Sequence, residues 1–183
     1  MQKNNFTTIS TILITLVLLS RLIPHQPNFT PLIAVAIFSS MIFNNKKYFF
    51  IPLLGLFFSD LLLEQTIGYK YIFSPIFYWT YISVFSVFLF SYFFNNEIKI
   101  KNIVINSISG ALIFFFVSNF GVWISSGGFY PLNFSGLISC YAAAIPFFRN
   151  TLSSTLLYSV ILFAPVLLKN KALFSESIFS KNS

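Results

Sequence analysis

Six apolar runs fill most of this sequence, and they leave few polar residues from which a soluble surface could be built. The runs cover residues 6–23, 29–43, 48–63, 71–94, 103–125 and 136–168. Only 8% of the 183 residues are charged, whereas a soluble domain carries about 25% charged residues. A helix needs roughly 20 mainly apolar residues to cross a bilayer. The sequence therefore predicts an all-α membrane protein, with one transmembrane domain over residues 1–183 and the lipid bilayer as a partner.

The lengths of the apolar runs leave the number of membrane crossings undecided in two places. The runs at 29–43 and 48–63 are short for full crossings, and they could instead form a re-entrant hairpin. The run at 136–168 is too long for one crossing at about 1.5 Å per residue, and Pro146 divides it. We predict a short surface helix over about residues 136–145, followed by a last span over 147–168.

If both parts of the last run crossed the membrane, the chain would have seven spans and not six. The placement of the lysines decides between these two numbers. With six spans and the N-terminus in the cytoplasm, the outer loops carry only Lys70. The inner side then carries eight lysines: Lys3, Lys46, Lys47, Lys99, Lys101, Lys169, Lys171 and Lys181. This excess is the positive-inside pattern. We therefore predict a compact bundle of six transmembrane helices with both termini in the cytoplasm. The net charge of +7 then reflects loop lysines and not a nucleic-acid-binding patch.

The unusual polar residues gather at the predicted outer face. The stretch SRLIPHQPNFTP, residues 20–31, ends the first span with an arginine and a histidine among three prolines. Charged groups at membrane depth are costly unless they are paired or hydrated. They could form ion pairs that clamp helices, or they could line an outward-facing cavity for a small-molecule ligand. The candidate ligand-binding residues are Arg21, His25, Asn28, Asp60, Asn119, Trp123, Tyr130, Cys140, Tyr141, Arg149 and Asn150.

The sequence evidence for a metal site or a partner-docking site is weaker than the evidence for a ligand-binding cavity. No CxxC or HExxH motif occurs, so we predict no dedicated metal site and no resident cofactor. His25 and Cys140 fall on one side of the membrane, which would suit a cobalt-containing substrate such as cobalamin as a special case. Ala36 and Ser40 form a small-xxx-small pattern. Together with Ala34, they are predicted to form a docking face for a partner protein.

The stretch RLIPHQPNFTPLIAVAIF resembles the start of the second span in a family of small bacterial membrane proteins of unknown function. Members share R-x-x-P-H-x-P-N-F-T-P, an S-D pair, G-V-W followed by Y-P, and C-Y-x-x-A-I-P-F-F-x-N-T-L. These motifs fall here at 21–31, 59–60, 121–123 with 130–131, and 140–152. The resemblance implies the bacterial cytoplasmic (inner) membrane and no particular activity. The family pattern continues with Gly-Asp, but this chain has Ser153 and Ser154, so an acid that could pair with Arg149 is missing.

The size and six-span layout are also similar to the S components of energy-coupling-factor vitamin transporters. These proteins bind vitamins in an outward cavity and dock through small residues on an early helix. The similarity implies uptake of a small nutrient, with Arg21, Arg149 and His25 binding its polar groups and Trp123 and Tyr130 stacking on a ring. The chain lacks G-x-x-x-x-G-K-[ST], so active uptake would need an energising ATPase partner.

Two other functions stay open at the level of sequence. In a structural or assembly protein, the outer charges would serve as helix clamps. In a membrane enzyme, Asp60, Glu64 and His25 could supply acid–base chemistry, and Cys140 could act as a nucleophile. No spacing matches a catalytic triad or a protease motif, so we predict that the chain is not an enzyme.

Overall fold

Every regular element in the part of the chain that the structure describes is a helix. This structure is a computed structural model, and it describes residues 3–43, 45–67, 71–94 and 97–181. Lys70, the lysine predicted for the outer loops, lies outside these ranges. A short 3-10 helix, Lys46–Phe49, precedes the third α-helix. The α-helices are α1 (Lys3–Leu22), α2 (Leu32–Phe43), α3 (Phe50–Ile67), α4 (Pro75–Phe94), α5 (Ile100–Ile124) and α6 (Phe134–Lys181).

Four helical segments are long and apolar enough to cross a membrane, which fits a multi-pass membrane protein and confirms the predicted all-α class. They are Lys47–Thr66, Pro75–Phe94, Ile100–Ile124 and Phe134–Lys169. The apolar parts of α1 and α2, Phe6–Leu22 and Leu32–Phe43, are shorter. With 12 residues, α2 is only about 18 Å long.

The last apolar run forms one helix rather than two. The predicted break at Pro146, with a separate surface helix at 136–145, is wrong because α6 continues through that proline. A proline removes one helical hydrogen bond, but a helix packed against neighbours tolerates the loss. α5 supplies such a neighbour: the Tyr141 hydroxyl donates to the Phe116 carbonyl at 2.7 Å. The first part of α6 therefore lies along α5.

The short helix α2 is the centre of the bundle. It packs against α3, α4, α5 and α6, and all ten residues of Leu32–Met41 are buried. Ala34, Ala36 and Ser40 are each 0% exposed. The predicted docking role of these three residues is therefore wrong, because their small side chains admit the chain's own helices and leave no face for a partner.

A buried polar contact joins α5 to α6. The hydroxyl oxygens of Ser107 and Ser159 lie 2.9 Å apart, and both side chains are buried. Hydrogen bonds between membrane helices contribute about 0.6 kcal/mol on average and up to about 1.7 kcal/mol.

Replacing Ser107 by alanine is expected to lower the free energy of unfolding by roughly 0.5–1.5 kcal/mol, because Ser159 loses its partner. The double variant Ser107→Ala/Ser159→Ala should cost less than the sum of the single variants. Unfolding in mixed detergent micelles measures all three. Strictly additive losses would show that the two hydroxyls are not coupled.

Candidate functional site

A buried ion pair between Arg21 and Asp60 joins α1 to α3. Asp60 is 1% exposed, and the Arg21 side chain is 19% exposed. Nη1 of Arg21 also donates to Ser59 Oγ at 2.6 Å and to the Leu56 carbonyl at 3.3 Å. The second carboxylate oxygen of Asp60 accepts from the Tyr81 hydroxyl at 3.0 Å. A buried charge needs such a partner and such hydrogen bonds, so the protein itself compensates the Asp60 carboxylate.

The guanidinium of Arg21 keeps one edge free of these contacts. All of its hydrogen bonds leave from Nη1. A guanidinium has five N–H donors in one plane, and within the described residues those on Nε and Nη2 have no hydrogen-bond partner. Arg21 also lines a cavity. Arg21 therefore has donors left over at a cavity that its side chain lines.

The cavity beside Arg21, which we call the arginine cavity, lies where α2 begins. Its volume is about 310 Å³, at the small end of the roughly 300–1,000 Å³ typical of ligand sites. Eight of its 13 lining residues carry hydrogen-bonding side chains, which is an unusual concentration inside so apolar a chain. The lining residues are Arg21, His25, Asn28, Thr30, Leu32, Ile33, Leu56, Tyr71, Ile76, Thr80, Phe114, Thr151 and Ser154.

A second cavity of about 320 Å³, which we call the Cys140 cavity, lies between the same loop and the paired helices α5 and α6. It is lined by Pro27, Asn28, Asn119, Val122, Tyr130, Cys140, Ala143, Ala144 and Phe147. Asn28 lines both cavities. Its φ of 62° falls in the left-handed region, which asparagine tolerates better than most residues.

The loop of residues 23–31 is held by α6. The Asn150 side-chain amide donates to the Pro27 carbonyl at 3.0 Å, and Ser154 Oγ lies 3.4 Å from the Asn28 carbonyl. Ser154 is 20 residues beyond Phe134, the first residue of α6, which corresponds to roughly 30 Å of helix. The loop is therefore recessed within the bundle relative to the start of α6.

Most of the predicted binding residues come together at this recessed loop. Arg21, His25 and Asn28 line the arginine cavity, while Asn119, Tyr130 and Cys140 line the Cys140 cavity with Asn28. Two more act through their neighbours: Asp60 holds Arg21, and Asn150 holds the loop.

The remaining three predicted binding residues also line neither cavity, so nothing in the structure supports the ligand contacts predicted for them. Trp123 Nε1 donates to the Pro131 carbonyl at 3.0 Å, and the Tyr141 hydroxyl is used by α5. Arg149 is exposed and has no hydrogen bond or ion pair to the residues that the structure describes. Glu64, named above as a possible acid–base group, accepts the Ile72 backbone N–H at 2.9 Å.

The sequence interpretation missed the hydroxyl groups of the arginine cavity, among them Thr80 and Thr151. Serine and threonine are common in membrane helices, where their hydroxyls often bond to the carbonyl one turn earlier. Thr80 and Thr151 make this bond, at 2.9 Å and 3.0 Å. No feature of the sequence separates them from the many other hydroxyl residues of the chain.

The residues that could bind a metal are scattered. His25 lines the arginine cavity, while Cys140 lines the other one and donates to the Asn119 carbonyl at 3.5 Å. Within the described ranges, no group of three or more histidine, cysteine, aspartate or glutamate side chains could hold a metal ion.

Comparison with known proteins places the chain in a family. A family model described as "Family of unknown function (DUF6580)" matches residues 1–177. The chain belongs to this family. The matched region contains the ion pair and both cavities, and it fits the predicted membership of an uncharacterised family. Neither a curated protein nor a solved structure matches the chain.

Proposed function

We propose that this chain is a substrate-binding membrane subunit that captures a small molecule at the outer face of the bacterial inner membrane for uptake. The observation that carries the proposal is the arginine cavity, where a guanidinium with one free edge meets several polar side chains. In this proposal both termini are cytoplasmic, as the loop lysines indicate. The 23–31 loop then faces outward.

The recessed loop supports this arrangement. Six crossings would include α2, which is short because the loop supplies the outer part of that crossing. Non-helical backbone at membrane depth is tolerated only where it is buried in protein or lines a water-filled cavity. Residues Leu22 to Asn28 are exposed, and in this proposal water fills the opening above them.

A structural or assembly role is the second candidate. The specific observation in its favour is the Arg21–Asp60 pair, which could hold α1 against α3 without any ligand. A clamp, however, needs no cavity and no unused donors beside its arginine. An enzyme finds less support, because Asp60 is buried against Arg21 while His25 and Cys140 line separate cavities.

Similarity to S components adds an energising ATPase partner to the proposal. Such a partner would contact surfaces other than the three small residues of α2, since these are buried. A cobalt-containing substrate has little support as a special case, because His25 and Cys140 do not share a cavity.

Mass spectrometry of the small molecules that co-purify with the protein in mild detergent tests the proposal. We expect a compound enriched on the wild type and reduced roughly tenfold or more on Arg21→Lys. Lysine keeps a cation beside Asp60 but lacks the planar donor edge. Arg149→Lys is the matched control and should retain the compound. A stable wild type without any enriched compound would favour the helix clamp.

A further inference from the structure

The free edge of Arg21 points to the charge of the ligand, and we infer that the arginine cavity binds a small monocarboxylate. The inference rests on the proposed function, because it assumes that this cavity captures a molecule from outside.

The unused donors of the Arg21 guanidinium match the shape of a carboxylate. Nη1 is committed to Leu56, Ser59 and Asp60. The remaining donors on Nε and Nη2 lie side by side and are nearly parallel. This spacing matches the two oxygens of one carboxylate, which can accept both hydrogen bonds at once. The protein has thus used the side of Arg21 that faces α3 and left the bidentate edge.

The charges around the arginine cavity favour an anion. The lining contains the guanidinium of Arg21, and no aspartate or glutamate is among the residues described in it. Asp60 is buried against Arg21, and Glu64 is engaged by the backbone of Ile72. A cationic ligand would therefore find no free carboxylate here, whereas an anion would meet the guanidinium.

The Asp60 carboxylate limits how much negative charge the cavity can hold. Asp60 already offsets the charge of Arg21, so each negative charge on a ligand needs further compensation. His25 also lines the cavity, and its Nδ1 lies 2.7 Å from the Gln26 carbonyl. One carboxylate can be satisfied by the free donors of Arg21, whereas a phosphate dianion would bring a second negative charge without a partner.

The remaining lining residues of the arginine cavity indicate what the rest of the ligand is like. Within the described residues, the side chains of Asn28 and Thr30 make no hydrogen bond, so both can bind polar groups of a ligand. Ile33 and Phe114 offer apolar surface. With a volume of about 310 Å³, the cavity fits a small carbon skeleton that bears one carboxylate and few other polar groups.

Thermal unfolding of the full-length protein in mild detergent tests the inference with four probes at equal ionic strength. The probes are propionate, its neutral analogue propionamide, propylammonium and inorganic phosphate. We expect propionate at tens of millimolar to raise the unfolding temperature, because a ligand that binds the native state stabilises it. The other three probes should shift the unfolding temperature much less.

Substitutions test whether propionate stabilises the protein by binding at Arg21. Arg21→Lys should weaken the apparent affinity for propionate roughly tenfold, and Arg149→Lys should leave it unchanged. Each shift is compared with the same variant's own unfolding temperature, so a less stable protein stays informative. If Arg21→Lys does not fold, Thr30→Val keeps the ion pair and should weaken propionate about threefold, because a carboxylate oxygen can accept from the Thr30 hydroxyl as well as from Arg21.

Three results would overturn the inference: equal stabilisation by propionamide, greater stabilisation by phosphate or propylammonium, or no propionate shift in the wild type. The two proposals fail separately. If a neutral or cationic compound co-purifies and its binding depends on Arg21, the proposed uptake function is kept, but the inference that the ligand is a carboxylate is wrong. An empty, stable wild type that binds no probe would remove both.

Discussion

Replacing Arg21 by alanine is expected to lower the free energy of unfolding by about 3–5 kcal/mol, because it leaves a buried carboxylate without its cation. Asp60 is 1% exposed, and the Tyr81 hydroxyl would be its remaining side-chain partner. Titration of the purified protein with dodecyl sulfate in mixed micelles measures the loss. Arg149→Ala removes an exposed arginine and should change stability by no more than about 0.5 kcal/mol.

A double-mutant cycle separates the ion pair from other effects of the substitution. Arg21→Ala/Asp60→Ala should cost less than the sum of the two single changes, with a coupling of roughly 0.5–3 kcal/mol. A nearly neutral Arg21→Ala, or additive losses, would mean that Arg21 does not compensate Asp60. The expected instability is also the reason why ligand binding is tested with Arg21→Lys, which keeps the positive charge.

Replacing Gly121 by alanine is expected to cost about 1–3 kcal/mol, near the upper end of that range, because the site has no room for a methyl group. A Cβ at Gly121 would overlap the Cβ and the ring of Trp79 on the neighbouring helix α4. The Trp79 ring in turn packs edge-on against Phe120, with ring centroids 5.6 Å apart. The tryptophan therefore cannot move aside without disturbing a second contact.

The same unfolding titration measures this loss, and Gly127→Ala is the control. Gly127 has no atom within 4 Å of an added Cβ, but its φ is +59°, so alanine there should cost only about 1–2 kcal/mol of backbone strain. Gly121→Ala should also weaken ligand binding, since α4 contributes Ile76 and Thr80 to the arginine cavity. A Gly121→Ala protein as stable as the wild type would show that α4 and α5 are not this close.

The all-helical class and the cluster of polar residues at one end of the bundle could be predicted from the sequence. Both follow from the positions of the charged residues along the chain. Apolar runs with few charges predict membrane helices in any packing. The cost of a lone charge at membrane depth likewise predicts that Arg21 and the acids find partners. The sequence could not show which acid pairs with Arg21, because that depends on how α1 packs against α3.

The errors concern packing between helices. Pro146 is a helix breaker in isolation, but α5 supports the helix around it. The small residues of α2 indicate close approach of another helix, and the same pattern serves a partner protein or the chain's own helices. Because α2 is apolar on every side, its sequence gives no direction that would separate these two outcomes.

The proposed function depends most directly on the arginine cavity opening to the outside of the cell. Cys140 is the only cysteine, so Cys140→Ser provides a background for single cysteines. His25→Cys and Lys47→Cys fall at exposed positions beyond opposite ends of α2. A membrane-impermeant maleimide should label His25→Cys in intact cells and Lys47→Cys only after permeabilisation. Labelling of Lys47→Cys in intact cells, with His25→Cys protected until permeabilisation, would contradict the proposal.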